Sequence, residues 1–155
     1  MFCINCFNSS TSVTNSRPHK KQPQIWRRRK CTACGMIFTT HERPSLADNK
    51  PIHLKGGATD TFNLGKLIVS LSKAFTHSPD AAAYDTFWLA QTIEDTLSTQ
   101  YKVVTPDVIE AVAHQTLRQF DEVAAMEYAL SHRLITSTRR RGRPSLHERG
   151  PQTDE

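Results

Sequence analysis

The sequence predicts an α+β chain in three parts: a small β-rich ribbon built on metal, a β-hairpin with four helices, and a disordered basic tail. Three observations carry this. All four cysteines fall in two C-x2-C pairs, Cys3/Cys6 and Cys31/Cys34, with 24 residues between the pairs. Beyond residue 62 the apolar residues recur at helical spacing behind repeated cap-and-proline starts. Charge is segregated: residues 1–50 hold nine Lys/Arg against two Asp/Glu, 51–135 hold six against ten, and 136–155 hold five against three. The expected boundaries are 1–48, 49–137 and 138–155.

Apolar residues make up 37% of the 155, so part of the chain is expected to stay unpacked. There is no apolar run long enough for a membrane helix and no basic-then-apolar leader. The expectation is a cytoplasmic protein with reduced thiols and no membrane partner, so paired cysteines point to metal rather than to disulfides. A thioredoxin-like redox pair needs a βαβ setting, which neither pair has. Two C-x2-C knuckles aim four thiolates at one point. That is the tetrahedral zinc pattern, with Cys3, Cys6, Cys31 and Cys34 as ligands of one Zn2+. Four thiolates leave no open position for catalysis. A piece this small needs the metal for its folding free energy.

Between the knuckles stands Arg27-Arg28-Arg29-Lys30, directly before Cys31. Arg17 and Lys20-Lys21 add charge on the same stretch, and Thr39 and Thr40 follow the second knuckle. Arginine forks and hydroxyls are the groups that phosphate contacts use. Trp26 either stacks on a base or covers the ribbon. The charges either bind nucleic acid or only keep a small ribbon soluble.

Asp48 to Pro51 reads as a linker. Ile52 to Lys55 is a short extended run, Gly56-Gly57 a turn of positive φ, and Thr59 to Phe62 the returning strand. Asn63 caps a first helix with Leu64, Leu67, Ile68, Leu71 and Phe75 on one stripe. Ser78-Pro79 starts a second, with Ala83, Phe87, Ala90 and Leu97 facing inward. Thr105-Pro106 starts a third, with Val108, Ile109, Val112, Thr116 and Leu117. Asp121 caps a fourth, running through Tyr128 to about Ile135. Backbone amides at Gly56 and Gly57, with Lys55 and Lys66, either cradle a phosphate or merely turn the hairpin. No nucleophile has a base beside it in the sequence, and His114 and His132 read as surface or filler, so no enzyme is expected. The tail, 138–155, has no apolar periodicity. Its Arg-Gly-Arg-Pro core, with Arg141 and Arg143, is either an AT-hook that enters an A·T minor groove or a generic basic tail.

The motifs C-I-N-C, V-T-N-S-R at Val13 to Arg17, and R-R-R-K-C-T-A-C-G-M-I-F-T-T-H-E at Arg27 to Glu42 resemble the zinc ribbon of the NrdR family, bacterial repressors of ribonucleotide reductase genes. The chain departs from the family pattern at Asn15, Lys30 and Ile37. Residues Ile52 to Leu67 resemble the opening of that family's ATP-cone, with Lys55, Gly57, Phe62, Lys66 and Leu67 on the pattern and Asp60 in the acidic place. Leu54 stands where the first lysine belongs, and Gly56 where an aspartate does. Val103 to Ile109 and Leu117 to Ala124 resemble the later helices, and the likeness covers about 135 residues. The resemblance implies a DNA-binding repressor, a homo-oligomer at the nucleoid, whose operator affinity is set by ATP and dATP. Lys55, Gly56, Gly57, Asp60, Phe62 and Lys66 would then meet the nucleotide, and Arg17, Arg27, Arg28, Arg29, Lys30, Thr39 and Thr40 the double-stranded DNA. Two other readings remain: a nucleotide-binding module that docks on an enzyme, and a zinc-ribbon RNA-binding protein.

Overall fold

The computed structural model describes residues 1–20 and 22–135. Three antiparallel strands come first: β1 (Thr11–Pro18), β2 (Ile25–Cys31) and β3 (Ile37–Glu42), in the order β1-β2-β3. Both cysteine pairs lie at one end of this sheet. The register aligns Thr11 with Cys31 and Lys30 with Ile37, so each knuckle sits where a strand enters or leaves. A bulge at Thr14 lets Val13 face Arg29 and Asn15 face Arg28. The extra residue is tied down by the Thr14 hydroxyl, which donates to the Arg28 carbonyl at 3.1 Å. Among the described residues the buried apolar cluster here is Cys3, Cys31 and Phe38. So small a core cannot hold three strands by burial alone, which is why the thiolates matter to the fold.

The chain does not pass through a free linker after β3. Leu46–Asn49 forms a one-turn helix, α1, capped by the Ser45 hydroxyl. Leu46 is 1% exposed and packs in the core of the helical part. Lys50 Nζ donates to the carbonyls of Ser98 and Tyr101 at 2.6 and 2.7 Å. The stretch expected as a linker, Asp48 to Pro51, is therefore docked, because Leu46 just before it and its own Lys50 both find partners on the helical part.

The hairpin is short: β4 (Ile52–His53) pairs with β5 (Thr59–Asp60). Gly56 and Gly57 turn it with φ of 90° and 85°, as the sequence requires. The helices are α2 (Leu64–Ser72), α3 (Pro79–Tyr84), α4 (Thr86–Gln100), α5 (Pro106–Phe120) and α6 (Glu122–Ser131). Asn63, Ser78, Thr105 and Asp121 each accept a backbone N–H as N-caps.

The expected second helix is thus two, broken at Asp85, whose own N–H bonds back to Ala81 to close α3. The break rotates the stripe. Ala83 and Phe87 are exposed, and Leu89, Ala90, Ile93 and Leu97 form the buried face. The last helix ends at Ser131, short of Ile135, where Arg133 takes a φ of 56° and Leu134 N returns to the Ala129 carbonyl. One core runs through this part, from Leu46 and Ile52 to Tyr128 and Ala129.

Candidate metal centre, cationic face and cleft

The four cysteine sulfurs lie within 4.8 Å of one another. Cys3–Cys34 and Cys6–Cys31 are each 3.6 Å apart, Sγ to Sγ. Four thiolates at about 2.3 Å from one tetrahedral ion stand about 3.8 Å apart, so the donor set fits zinc in number, type and spacing. Cys3 and Cys31 are buried, Cys6 and Cys34 exposed. Backbone N–H groups already face the sulfurs. Asn5 N donates to Cys3 Sγ at 3.4 Å. The Met36 N–H, foremost among several contacts, pulls the Cys34 thiol down to about 6. Hydrogen bonds to sulfur favour the thiolate, the form that binds metal.

The four cations of β2 are divided by strand alternation. Arg28 and Lys30 are exposed, and Arg27 and Arg29 are half-buried. Arg27 is committed to Glu42, with Nη2 2.7 Å from the carboxylate, and its buried Nε has no hydrogen-bond partner among the described residues. Arg29 Nε donates to the Thr40 hydroxyl at 3.2 Å. Arg28 pairs in register with Asn15 and Thr39, Lys30 with Ser12 and Ile37, and Trp26 with Arg17 and His41. Residues directly opposite one another share a face. Arg17, Trp26, Arg28, Lys30 and Thr39 thus share one side of the sheet, and among the described residues no carboxylate reaches Arg28 or Lys30 within ion-pair distance. Arg27, Arg29 and Thr40 share the other. Lys21, Arg141 and Arg143 lie outside the described residues, and with them the expected AT-hook.

A cleft of about 320 Å³ opens beside the hairpin, in the size range of small-molecule sites. Asp60, Phe62 and Lys66 line it, together with Leu54, Asn63 and Ile109. Lys55, Gly56 and Gly57 do not. The Gly57 N–H is used inside the turn, donating to the Leu54 carbonyl at 3.3 Å, so it is not aimed at a ligand. Lys55 stands in a neighbouring depression with Thr105 and Asp107, 3.9 Å from the Asp107 carboxylate, and Leu54 and Pro106 form the ridge between the two hollows.

The inner wall was not legible in the sequence. His132 Nδ1 lies 3.2 Å from Glu110 and its Nε2 2.9 Å from the Ser70 hydroxyl. A carboxylate only accepts, so Nδ1 donates to Glu110, while the Ser70 hydroxyl meets Nε2. The imidazole stacks on Tyr128 with centroids 4.1 Å apart. Burial pushes the Tyr128 phenol up to about 12. His132 is neither surface nor filler: it is a fixed wall of the cleft. The signal that could have found it is separation by four from Tyr128 on one helical face.

A sheet with a four-cysteine, zinc-ribbon donor set at one end and cations along one face, joined to a helical part with a cleft, is the architecture of a zinc-ribbon protein. The family model of the NrdR-like transcriptional repressor N-terminal domain matches residues 1–42. The "Transcriptional repressor NrdR" of Deinococcus radiodurans is 32% identical over 99% of both chains. That of Parafrankia sp. is 37% identical over 83% of this chain and 67% of its own, and that of Methylacidiphilum infernorum 30% over 83% and 77%. The chain belongs to the NrdR family of transcriptional repressors.

Proposed function

We propose that this chain is a zinc-dependent repressor that grips double-stranded DNA through the ribbon face bearing Arg17, Arg28, Lys30 and Thr39, ahead of ribonucleotide reductase genes. The observation that carries this is the exposed cation pair on β2, free of carboxylates among the described residues and adjoining a four-cysteine knuckle. The metal holds the strand ends, so the cations are presented in one fixed geometry rather than on a floppy loop. The cleft is the sensor, taking ATP or dATP with the nucleoside inside and the phosphates over the Leu54–Pro106 ridge toward Lys55. Lys66 is the cation within the cleft itself, with Asp60 and Asn63 as hydrogen-bonding partners for the base or sugar. Nucleotide identity sets how chains associate, and association sets whether two ribbons reach two half-sites together. Linking two weak binders raises avidity far above either alone. The site of action is the cytoplasm, at the nucleoid.

Fluorescence anisotropy with labelled promoter DNA from ribonucleotide reductase genes, run without nucleotide, with ATP and with dATP, tests the reading. Binding to that DNA and not to scrambled duplex or RNA, with a different affinity in the three conditions, is the expected result. Equal affinity for RNA would favour the ribonucleic-acid reading instead.

A further inference from the structure

The cysteine end of the ribbon is apolar and open to water. Phe2, Ile4 and Phe7 stand around the first two cysteines and are 66%, 63% and 76% exposed. Beside the second pair, Met36 and Ile37 are exposed as well. The four sulfurs lie within 4.8 Å of one another, so all five side chains are carried at one end of the sheet. The first knuckle is a closed turn. Its Phe7 N–H donates to the Cys3 carbonyl at 3.0 Å, and the Cys3 N–H to the Asn8 carbonyl at 2.9 Å. Exposed apolar side chains gathered at one end of a small domain mark a contact.

Phe7 says most about that contact. Its φ is 57°, the left-handed region where a bulky side chain is strained and glycine is not. The residue therefore bears backbone strain and leaves its ring in water at the same time, with little burial to offset either. Strain kept at an exposed position points outward, to function rather than to packing.

We propose that this tip is a wedge that enters between stacked base pairs of the bound duplex. The wedge depends on the DNA grip proposed above and deepens it. Two observations choose the occupant. Residues 1–41 hold seven Lys/Arg and no Asp or Glu, so the apolar tip stands in a wholly positive ribbon. The apolar surface is also continuous with the cationic face. Ile37 pairs in register with Lys30, on the side that carries Arg28 and Thr39, and Met36 leads from it into the second knuckle. Cations seated on phosphates hold the tip against the base-pair stack, and an apolar side chain pressed there unstacks a step. Pyrimidine–purine steps yield most easily, so the tip selects where along an operator the ribbon settles. A membrane surface would ask for cations spread about the tip. Here Arg28 and Lys30 recede from it along one strand, the arrangement that tracks a polymer's phosphates.

The test uses the full, zinc-loaded chain and ribonucleotide reductase promoter duplexes carrying 2-aminopurine at successive adenines, whose fluorescence rises when the base unstacks. At saturation the parent should raise the signal several-fold at one step. Phe7→Gly relieves the left-handed strain, so it should fold at least as well as the parent. Combined with Ile4→Ala, it should return the signal to that of the free duplex. The same double variant should weaken binding about tenfold, the worth of one buried aromatic side chain, with an unchanged salt slope. Arg28→Ala should do the converse, lowering the slope and keeping the full signal at saturation. A parent that saturates the duplex without unstacking any step, or a double variant with the parent's signal, would overturn the wedge and leave the repressor reading standing. No binding to the promoter duplex by anisotropy would remove both. Flotation with phosphatidylglycerol vesicles completes the test: capture of the parent but not of the double variant, with no unstacking of DNA, would give the tip to a membrane instead.

Discussion

Replacing Leu54 with lysine should tighten nucleotide binding about tenfold. Leu54 sits on the ridge between the cleft and the Lys55 depression, on the path proposed for the phosphates, and it is 37% exposed. An ammonium about 4 Å from a phosphate oxygen gains about 1 kcal/mol in bulk water and about 4 at the effective dielectric of a protein surface. Partial exposure puts position 54 between those limits, near the low end of the roughly 1.5–3 kcal/mol of a charged hydrogen bond. About 1.5 kcal/mol is about a factor of ten in affinity. The gain should shrink with added salt, since the new charge is not enclosed. Lys66→Ala should act the opposite way and more strongly, because Lys66 is the lysine that lines the cleft itself. Isothermal calorimetry with ATP and with dATP on the parent and both variants decides it. Equal affinities in the parent and Leu54→Lys would refute the path given to the phosphates. Undetectable binding in both would reduce the helical part to an association domain.

Three further outcomes follow from the geometry. Arg28→Ala should weaken DNA binding and lower the slope of log affinity against log salt by about one, while Arg27→Ala, already paired with Glu42 at 2.7 Å, should barely move that slope; anisotropy titrations from low to moderate salt that rank them the other way would reverse the assignment of faces. Cys31→Ser should abolish zinc uptake and DNA binding yet keep the helical circular dichroism, because Cys31 is in the ribbon's own small cluster; a chelator colour assay for bound zinc checks the first half. Asp121 is held below its ordinary carboxylate value by the Ala124 N–H and then by His77. A depressed folded value adds stability above the unfolded value near 4, and that gain is lost as pH falls through the folded value, so parent and Asp121→Asn should differ in melting temperature at pH 7 and converge as pH falls below the folded value.

Features written in a few adjacent residues were legible. The knuckles, the glycine turn and the caps at Asn63, Ser78, Thr105 and Asp121 depend on chemistry within about four residues, and each stands where the sequence puts it. What failed depends on distance or on missing signal. The break at Asp85 has no side-chain cap and follows a run of alanines that reads as uninterrupted helix. Lys50 looks like linker because its partners lie some fifty residues away, at the end of α4 and just past it. The cationic run was recognised as a unit, yet alternation along β2 divides it, and only the register with Thr39 and Glu42 says which half is free. In the cleft, Asp60, Phe62 and Lys66 come together as expected. The Gly57 amide does not join them, because the turn itself consumes it, and the Ser70–His132–Glu110 chain brings together residues up to 62 apart.

Arg43, the residue after β3, reaches α4 and holds Asp95 at 2.6 Å, Glu94 at 3.6 Å and the Gln91 carbonyl at 3.2 Å, with all three side chains largely shielded. Mechanically this guanidinium is the first of the ties, ahead of Leu46 and Lys50, that fix the end of β3 to α4. Six residues of strand extend about 20 Å from that end to the knuckle. A tilt of roughly 10° at Arg43 therefore sweeps the metal end through about 3.5 Å, which is about the rise of one base step. By the same geometry, the closer Arg43 is held to Asp95 and Glu94, the more finely the position of the cationic face is set.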